Sequence, residues 1–283
     1  MLVYKNYDQA RLDAQYNNRA RVEDFDALVR EWGRRSAAFR TRAWGLLDVF
    51  CGQDEREMLD IFPSGRKNAP VHVFLHGGYW QAMDKGLFHF VGEGLYDRGA
   101  VVAFVNYPLA PRVGMDDIVA SCRRSVAWLR ERAPSYGGDP GRIFVSGHSA
   151  GGHLAAMLLI EEGSEGGAPP AFAGVCAVSG LFDLNPVRLS YLNEVLGLDE
   201  ETALRNSPVS REPAAACPCI AAVGGLESEE YHAQSREFVE AWSRKGVETE
   251  LSTLEGADHF SALDVLADPA SPLFQRIAGW MGL

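Results

Sequence analysis

The residues 147–151 read Gly147-His148-Ser149-Ala150-Gly151, between the apolar run 143–146 and a second apolar stretch over 154–160. A serine flanked two residues away on each side by glycine, where a strand turns into a helix, makes a nucleophile elbow. The corner is too tight for side chains at the glycine positions, and the serine hydroxyl is pushed into the open. The start of the following helix favours negative charge. Ser149 is therefore the candidate nucleophile, and the chemistry is acyl transfer. A serine with only a structural role is the plainer alternative, and the strand and helix around it weigh against that.

An acyl-transfer oxyanion needs preorganised N–H donors. One is expected from Ala150, the residue after the nucleophile. Others are expected from His76-Gly77-Gly78-Tyr79-Trp80, which follows the apolar run 71–75. A Gly-rich surface turn explains the glycines but not the Tyr-Trp pair directly after them.

A serine also needs a base, oriented by an acid, in the chain order serine, acid, histidine. Two histidines follow Ser149 at a distance. His232 falls within a helical pattern over 228–245 and reads as a surface or packing residue. His259, in Gly256-Ala257-Asp258-His259-Phe260 after the last strand, is the candidate base. The acid is expected after the strand 220–223, and Glu227 precedes the helix there. Asp183, one strand earlier, is the rival. Asp258 adjoins the base and is poorly placed to face its ring. His72 reads as a strand residue and His89 as a helix residue. His148 and His153 read as local hydrogen-bonding groups.

These residues need a frame. Short apolar runs at 71–75, 101–105, 143–146, 174–178, 220–223 and 248–254 lack alternation, as in strands buried on both faces. Helical patterns separate them: Ile118, Cys122, Val126 and Leu129 share one face, and Phe238, Val239 and Trp242 share another. Strand–helix alternation implies an α/β fold, a mostly parallel, doubly wound sheet with flanking helices. Such sheets bind ligands at the carboxyl ends of the strands. Two β-like runs, 46–50 and 58–62, precede this pattern. Phe25, Leu28, Val29 and Trp32 mark an earlier helix. The whole chain, 1–283, reads as one domain, with a helical extension over 1–45 that can cover the active site.

Composition narrows the partners. The 283 residues are 47% apolar and 23% charged, with 27 Lys and Arg against 38 Asp and Glu, a net charge of −11. No basic run suits nucleic acid, and the acidic balance disfavours anionic membranes. No apolar stretch approaches the roughly twenty residues of a membrane span, and no secretory leader pattern is visible at the start. The five cysteines are scattered, which fits a reducing, cytoplasmic setting. Cys217-Pro218-Cys219 lacks a second ligand pair, so no metal and no cofactor are expected. A small-molecule substrate is the expected partner, and a homodimer is left open.

The quoted residues resemble a known family. His76-Gly77-Gly78-Tyr79-Trp80 looks like the H-G-G-x-W motif of the kynurenine formamidase (arylformamidase) branch of the α/β hydrolases. Gly147-His148-Ser149-Ala150-Gly151-Gly152-His153 is similar to the family's elbow, and the segments 178–184, 205–208 and 227–238 with Asp258-His259-Phe260, together with the early Tyr16-Asn17-Asn18-Arg19, resemble further stretches of the family. The resemblance covers roughly residues 15–270. It implies an α/β-hydrolase fold, a Ser149–Glu227–His259 triad, and oxyanion donors at Gly78, Tyr79 and Ala150. It further implies hydrolysis of N-formyl aryl amides, N-formyl-kynurenine foremost, with small-ester hydrolysis as the alternative. The family acid is usually Asp, and Glu227 departs from that. Trp80, Phe182 and Tyr191, with Tyr79, are candidates for an aromatic substrate wall.

Overall fold

The computed structural model describes residues 1–160, 172–214 and 217–283. Its eight strands are β1 (Leu46–Phe50), β2 (Met58–Phe62), β3 (Ala69–Leu75), β4 (Val101–Val105), β5 (Gly138–His148), β6 (Gly174–Val178), β7 (Cys219–Gly224) and β8 (Thr249–Leu254). They form one sheet in the order β1-β2-β4-β3-β5-β6-β7-β8. β2 pairs antiparallel with both β1 and β4, and every later pairing is parallel. Among the described residues the helices are α1 (Gln9–Tyr16), α2 (Phe25–Arg42), α3 (Glu93–Asp97), α4 (Met115–Arg132), α5 (Ala150–Met157), α6 (Asn185–Arg188), α7 (Asn193–Leu196), α8 (Glu200–Arg205), α9 (Glu229–Arg244), α10 (Ala262–Ala267) and α11 (Pro272–Met281).

The central strands β3, β4, β6 and β7 are buried at every position because both faces of the sheet are covered. Val71, Val73 and Leu75 of β3 join one core while Phe74 joins the other. On β4, Val101, Ala103 and Val105 face one way, and Val102 and Phe104 the other. The first core takes its helical residues from α1 and from α4 to α9, and the second from α2, α3, α10 and α11. Period-2 alternation thus survives in the direction of burial, although every position of these two strands is buried.

Two boundaries differ from the sequence reading. β5 begins at Gly138, well before the apolar run, because Ala69 of β3 pairs with Gly138. Strand pairing is a backbone property, and Asp139-Pro140-Gly141 hide it from an apolar count. His89 lies in a 3-10 turn over His89–Gly92, where its Nε2 sits 2.8 Å from Asp60 Oδ2. Lys85 Nζ reaches the same carboxylate at 3.2 Å, tying this turn to β2.

Four histidines are fully packed inside. Burial pushes His72, His76 and His153 down to about 4 and, with the adjacent His259, His148 to about 3, against an ordinary 6.5. A folded-state pKa below the unfolded one means that the unfolded chain binds more protons in between. The stability these groups contribute is fully present above pH 6.5 and is lost as pH falls towards 4. The thermal midpoint should therefore fall steadily over that window in a scan of melting temperature against pH. A flat profile there contradicts the burial of these rings.

Candidate active site

Ser149 stands between β5 and α5 with φ 57° and ψ −120°, a strained corner. Its N–H donates to Val178 O at 2.8 Å, which fastens the corner to β6. The flanking glycines are required by space. A Cβ on Gly147 would lie 2.0 Å from Gly151 O, and one on Gly151 would lie 1.9 Å from Leu75 O. Both obstacles are backbone and cannot turn aside.

The loop after β3 adopts positive φ at three successive residues, Gly78 (117°), Tyr79 (49°) and Trp80 (56°). Among the described residues no backbone carbonyl accepts from the N–H of Gly78 or Tyr79. The Ala150 N–H belongs to the first turn of α5, which has no partner within the helix. Gly77, Gly78, Tyr79 and Ser149 all line one cavity of about 300 Å³. The arrangement offers three main-chain donors beside the serine.

Trp80 anchors this loop. Its ring is fully buried, and its Nε1–H donates to His153 Nδ1 at 3.2 Å. His153 Nε2 in turn meets Asn206 O at 2.8 Å, the pattern of a neutral ring protonated on Nε2. His148, on the other flank of Ser149, has its Nε2 2.7 Å from His259 O. The two elbow histidines thus hold the two loops that converge on the serine, one carrying Gly78 and Tyr79 and the other His259.

His259 Nδ1 lies 2.7 Å from Glu227 Oε2. Glu227 Oε1 accepts from Ser179 Oγ at 2.5 Å and from the Gly224 N–H at 2.7 Å. Burial by itself would raise the Glu227 carboxyl. The His259 charge and these hydrogen bonds outweigh it and hold the group below the ordinary carboxylate range. Asp183 is elsewhere: its Oδ1 accepts from the Asn185 N–H at 2.9 Å, and burial raises its pKa. Asp258 shapes the loop, accepting from the N–H groups of Phe260 and Ser261, both at 2.8 Å. A buried, charged carboxylate on a histidine that shares a cavity with an elbow serine is able to activate that serine.

The structure gathers Ser149, His259, Gly78, Tyr79 and Tyr191 around the cavity. It does not bring Trp80 or Phe182 there. Trp80 faces His153, and Phe182 stacks on Phe238 with ring centroids 4.1 Å apart, wholly buried. The aromatic wall comes instead from Phe25, Trp32, Phe88, Tyr191 and Phe260, with Asn17, Asn18 and Arg19 at its edge. Tyr79 turns its side chain outward from the sheet to Tyr16 O (2.5 Å) and Tyr231 Oη (2.8 Å), and Asn18 Nδ2 donates to both hydroxyls. Tyr231 also packs on His259, with ring centroids 4.8 Å apart. The sequence signal for Phe25 and Trp32 was their helical spacing, which reads as packing. Tyr231 and Ser179 lie in segments that resemble the family, but the sequence reading gave neither a role at the site.

All five cysteines are free and buried. No cluster of three His, Cys, Asp or Glu among the described residues is arranged to hold a metal. No helix among them is long and apolar enough to cross a membrane.

Fold and site together define a hydrolase of the α/β-hydrolase class. The BD-FAE family matches residues 59–190. Kynurenine formamidase from Danio rerio is 36% identical over 230 residues, spanning 79% of this chain and 77% of the relative. The chain belongs to the kynurenine formamidase family. A solved structure from Silicibacter sp. TM1040, provisionally described as a thioesterase, superposes with a TM-score of 0.83 at 30% identity, covering 94% of this chain and 98% of that one. A thermostable carboxylesterase cloned from a metagenomic library shares the fold, with a TM-score of 0.70 at 16% identity, over 92% of this chain and 97% of that one.

The two acids predict opposite outcomes. Glu227→Gln removes the charge that holds the His259 tautomer and should lower kcat by about 10⁴. Asp183→Asn keeps an oxygen for the Asn185 N–H and should leave kcat near wild type. Steady-state kinetics of both purified variants, with circular dichroism to check folding, decides it. A dead Asp183→Asn beside an active Glu227→Gln reverses the assignment.

Proposed function

We propose that this protein hydrolyses N-formyl aryl amides, N-formyl-kynurenine foremost, releasing the aryl amine and formate through an acyl-enzyme on Ser149. The observation that carries it is the 2.7 Å Glu227–His259 contact in a chain 36% identical to a kynurenine formamidase, with His259 and Ser149 on one aromatic-walled cavity.

The reaction follows from the groups present. His259 takes the Ser149 proton as Oγ attacks the formyl carbon. The carbonyl oxygen gains the negative charge and is met by the N–H groups of Gly78, Tyr79 and Ala150. The C–N bond breaks, and the leaving nitrogen takes the proton from His259. Water then attacks the formyl ester, giving up a proton to His259, and Ser149 is restored as formate leaves. Glu227 stabilises the imidazolium at both stages without itself taking the proton. The chemistry uses only side chains, main-chain amides and water. The aryl ring of the substrate rests on the wall of Phe25, Trp32, Phe88, Tyr191 and Phe260, and residues 1–45 contribute part of that wall. Five buried free thiols favour a reducing compartment, and we place the protein in the cytoplasm on that ground.

A second reading is hydrolysis of small esters or thioesters by the same groups. It is favoured by the 30% identical structure provisionally described as a thioesterase. An ester has a better leaving group than an amide and asks less of the same site.

Side-by-side kcat/KM values for N-formyl-kynurenine and phenyl acetate separate the two. The formamidase reading expects the formyl amide to lead by about tenfold or more. A lead for the ester reverses the order of the two readings. Ser149→Ala should abolish turnover of both, leaving only the small residual rate that binding and the oxyanion donors supply. Substantial activity in that variant removes Ser149 from the mechanism altogether.

A further inference from the structure

The cavity is unusual in its charge. The chain carries a net charge of −11, yet no Asp or Glu stands among the residues lining the cavity. Apart from the histidines, Arg19 is the sole ionisable cation there. Its guanidinium lies over the Phe25 ring, 4.5 Å from the centroid. Phe25 in turn lies 5.0 Å from Phe260, the residue after His259. A chain of tilted and edge-on aromatic contacts therefore runs from the reacting histidine to the guanidinium at the mouth. Among the described residues no carboxylate pairs with Arg19. Asp13, on α1, is engaged with Gln9 Nε2 and with the Tyr191 N–H. Burial raises the Tyr191 hydroxyl and the Arg19 charge opposes that rise, so the field of Arg19 reaches Tyr191, another lining residue.

A guanidinium resting on an aromatic face keeps its edge N–H groups free, in the fork geometry that matches a carboxylate. An acidic protein repels an anionic substrate at long range. A cavity emptied of acids and supplied with one unpaired arginine offsets that locally.

We propose that Arg19 is a specificity-determining residue that pairs with a carboxylate on the substrate, so that the site selects aryl amides or esters bearing an anionic side arm over neutral ones. This rests on the hydrolase reading of the same cavity and adds to it the charge of the substrate. The carboxylate arm lies at the mouth on Arg19, the aryl ring lies along Phe25 and Phe260, and the scissile carbonyl reaches Ser149.

The test uses two aryl acetates with the same leaving phenol, one carrying a propionate arm and the other its neutral carboxamide. The wild-type protein should favour the anionic ester in kcat/KM by about ten- to a hundredfold at low salt, mainly through KM. Raising the ionic strength should shrink that ratio, since the pair is partly exposed. Arg19→Met should cut the ratio by about fivefold or more, and Arg19→Lys should retain an intermediate preference. Arg19 is exposed, so neither change threatens the fold. A wild-type protein without preference for the anion, or an Arg19→Met ratio that falls by less than that margin, overturns the proposal. If N-formyl-kynurenine proves not to be a substrate, the proposed reaction fails, while the ester pair still reports on Arg19.

Discussion

The approach of the β3 loop to the corner at Ser149 is the constraint on which the site depends. Main chain meets main chain there with no space for a Cβ: Gly151 against Leu75 O, and Gly77 against His148 O and the Ser149 side chain. Only at that separation can N–H groups from two different parts of the chain address one oxygen atom. The strained φ of Ser149 and the three positive φ values of the loop are local costs, offset by packing around them. Trp80 on His153, and His148 on the carbonyl of His259, are the ties that hold the loops against the corner. The two sequence motifs, one around Gly77-Gly78 and one around Ser149, are therefore a single structural object.

Electrostatics inside the protein shows that burial does not fix the charge of a carboxyl. Glu227 and Asp183 both lie in the loops at the carboxyl ends of the strands, Glu227 buried and Asp183 half-buried. Glu227 meets an imidazole, a hydroxyl and a main-chain N–H, and stays ionised. Asp183 has one main-chain donor at its oxygen, and burial raises its pKa. The extra methylene of a glutamate is accommodated because Glu227 reaches back under the loop. One of its oxygens is held by Ser179 and Gly224, which leaves the other for His259.

Much of this was legible in the sequence, for identifiable reasons. Apolar runs marked the inner parallel strands, which are buried on both faces, whereas β8, expected to be of the same kind, is an edge strand with mostly polar residues that lie exposed or half-buried down to Leu254. Chain order and the position of each loop after a strand pointed to Glu227 and His259. What stayed hidden depends on which face a side chain takes and on distant contacts. Phe182 follows a strand as a pocket residue would, yet its ring turns to Phe238. Trp80 sits beside the oxyanion donors but points away from the cavity, because His153 offers its indole an acceptor. Phe25 and Trp32 carry a plain amphipathic spacing, and only the fold brings that face to Phe260.

One wall of the cavity has a history in time as well as a place in space. Asn18, Tyr16 and Tyr7 are held by Tyr231, Gln234 and Glu229 of α9, across sequence separations of 213, 218 and 222 residues. During synthesis residues 7–19 leave the ribosome long before α9 exists, and contacts so far apart form late. The early segment must wait, unpaired, while the sheet is built. A nascent chain can therefore complete the corner at Ser149 and still lack the wall beside it. Hydrolytic competence arrives only when α9 and, beyond it, His259 have been made and the first turn of the chain has docked on α9.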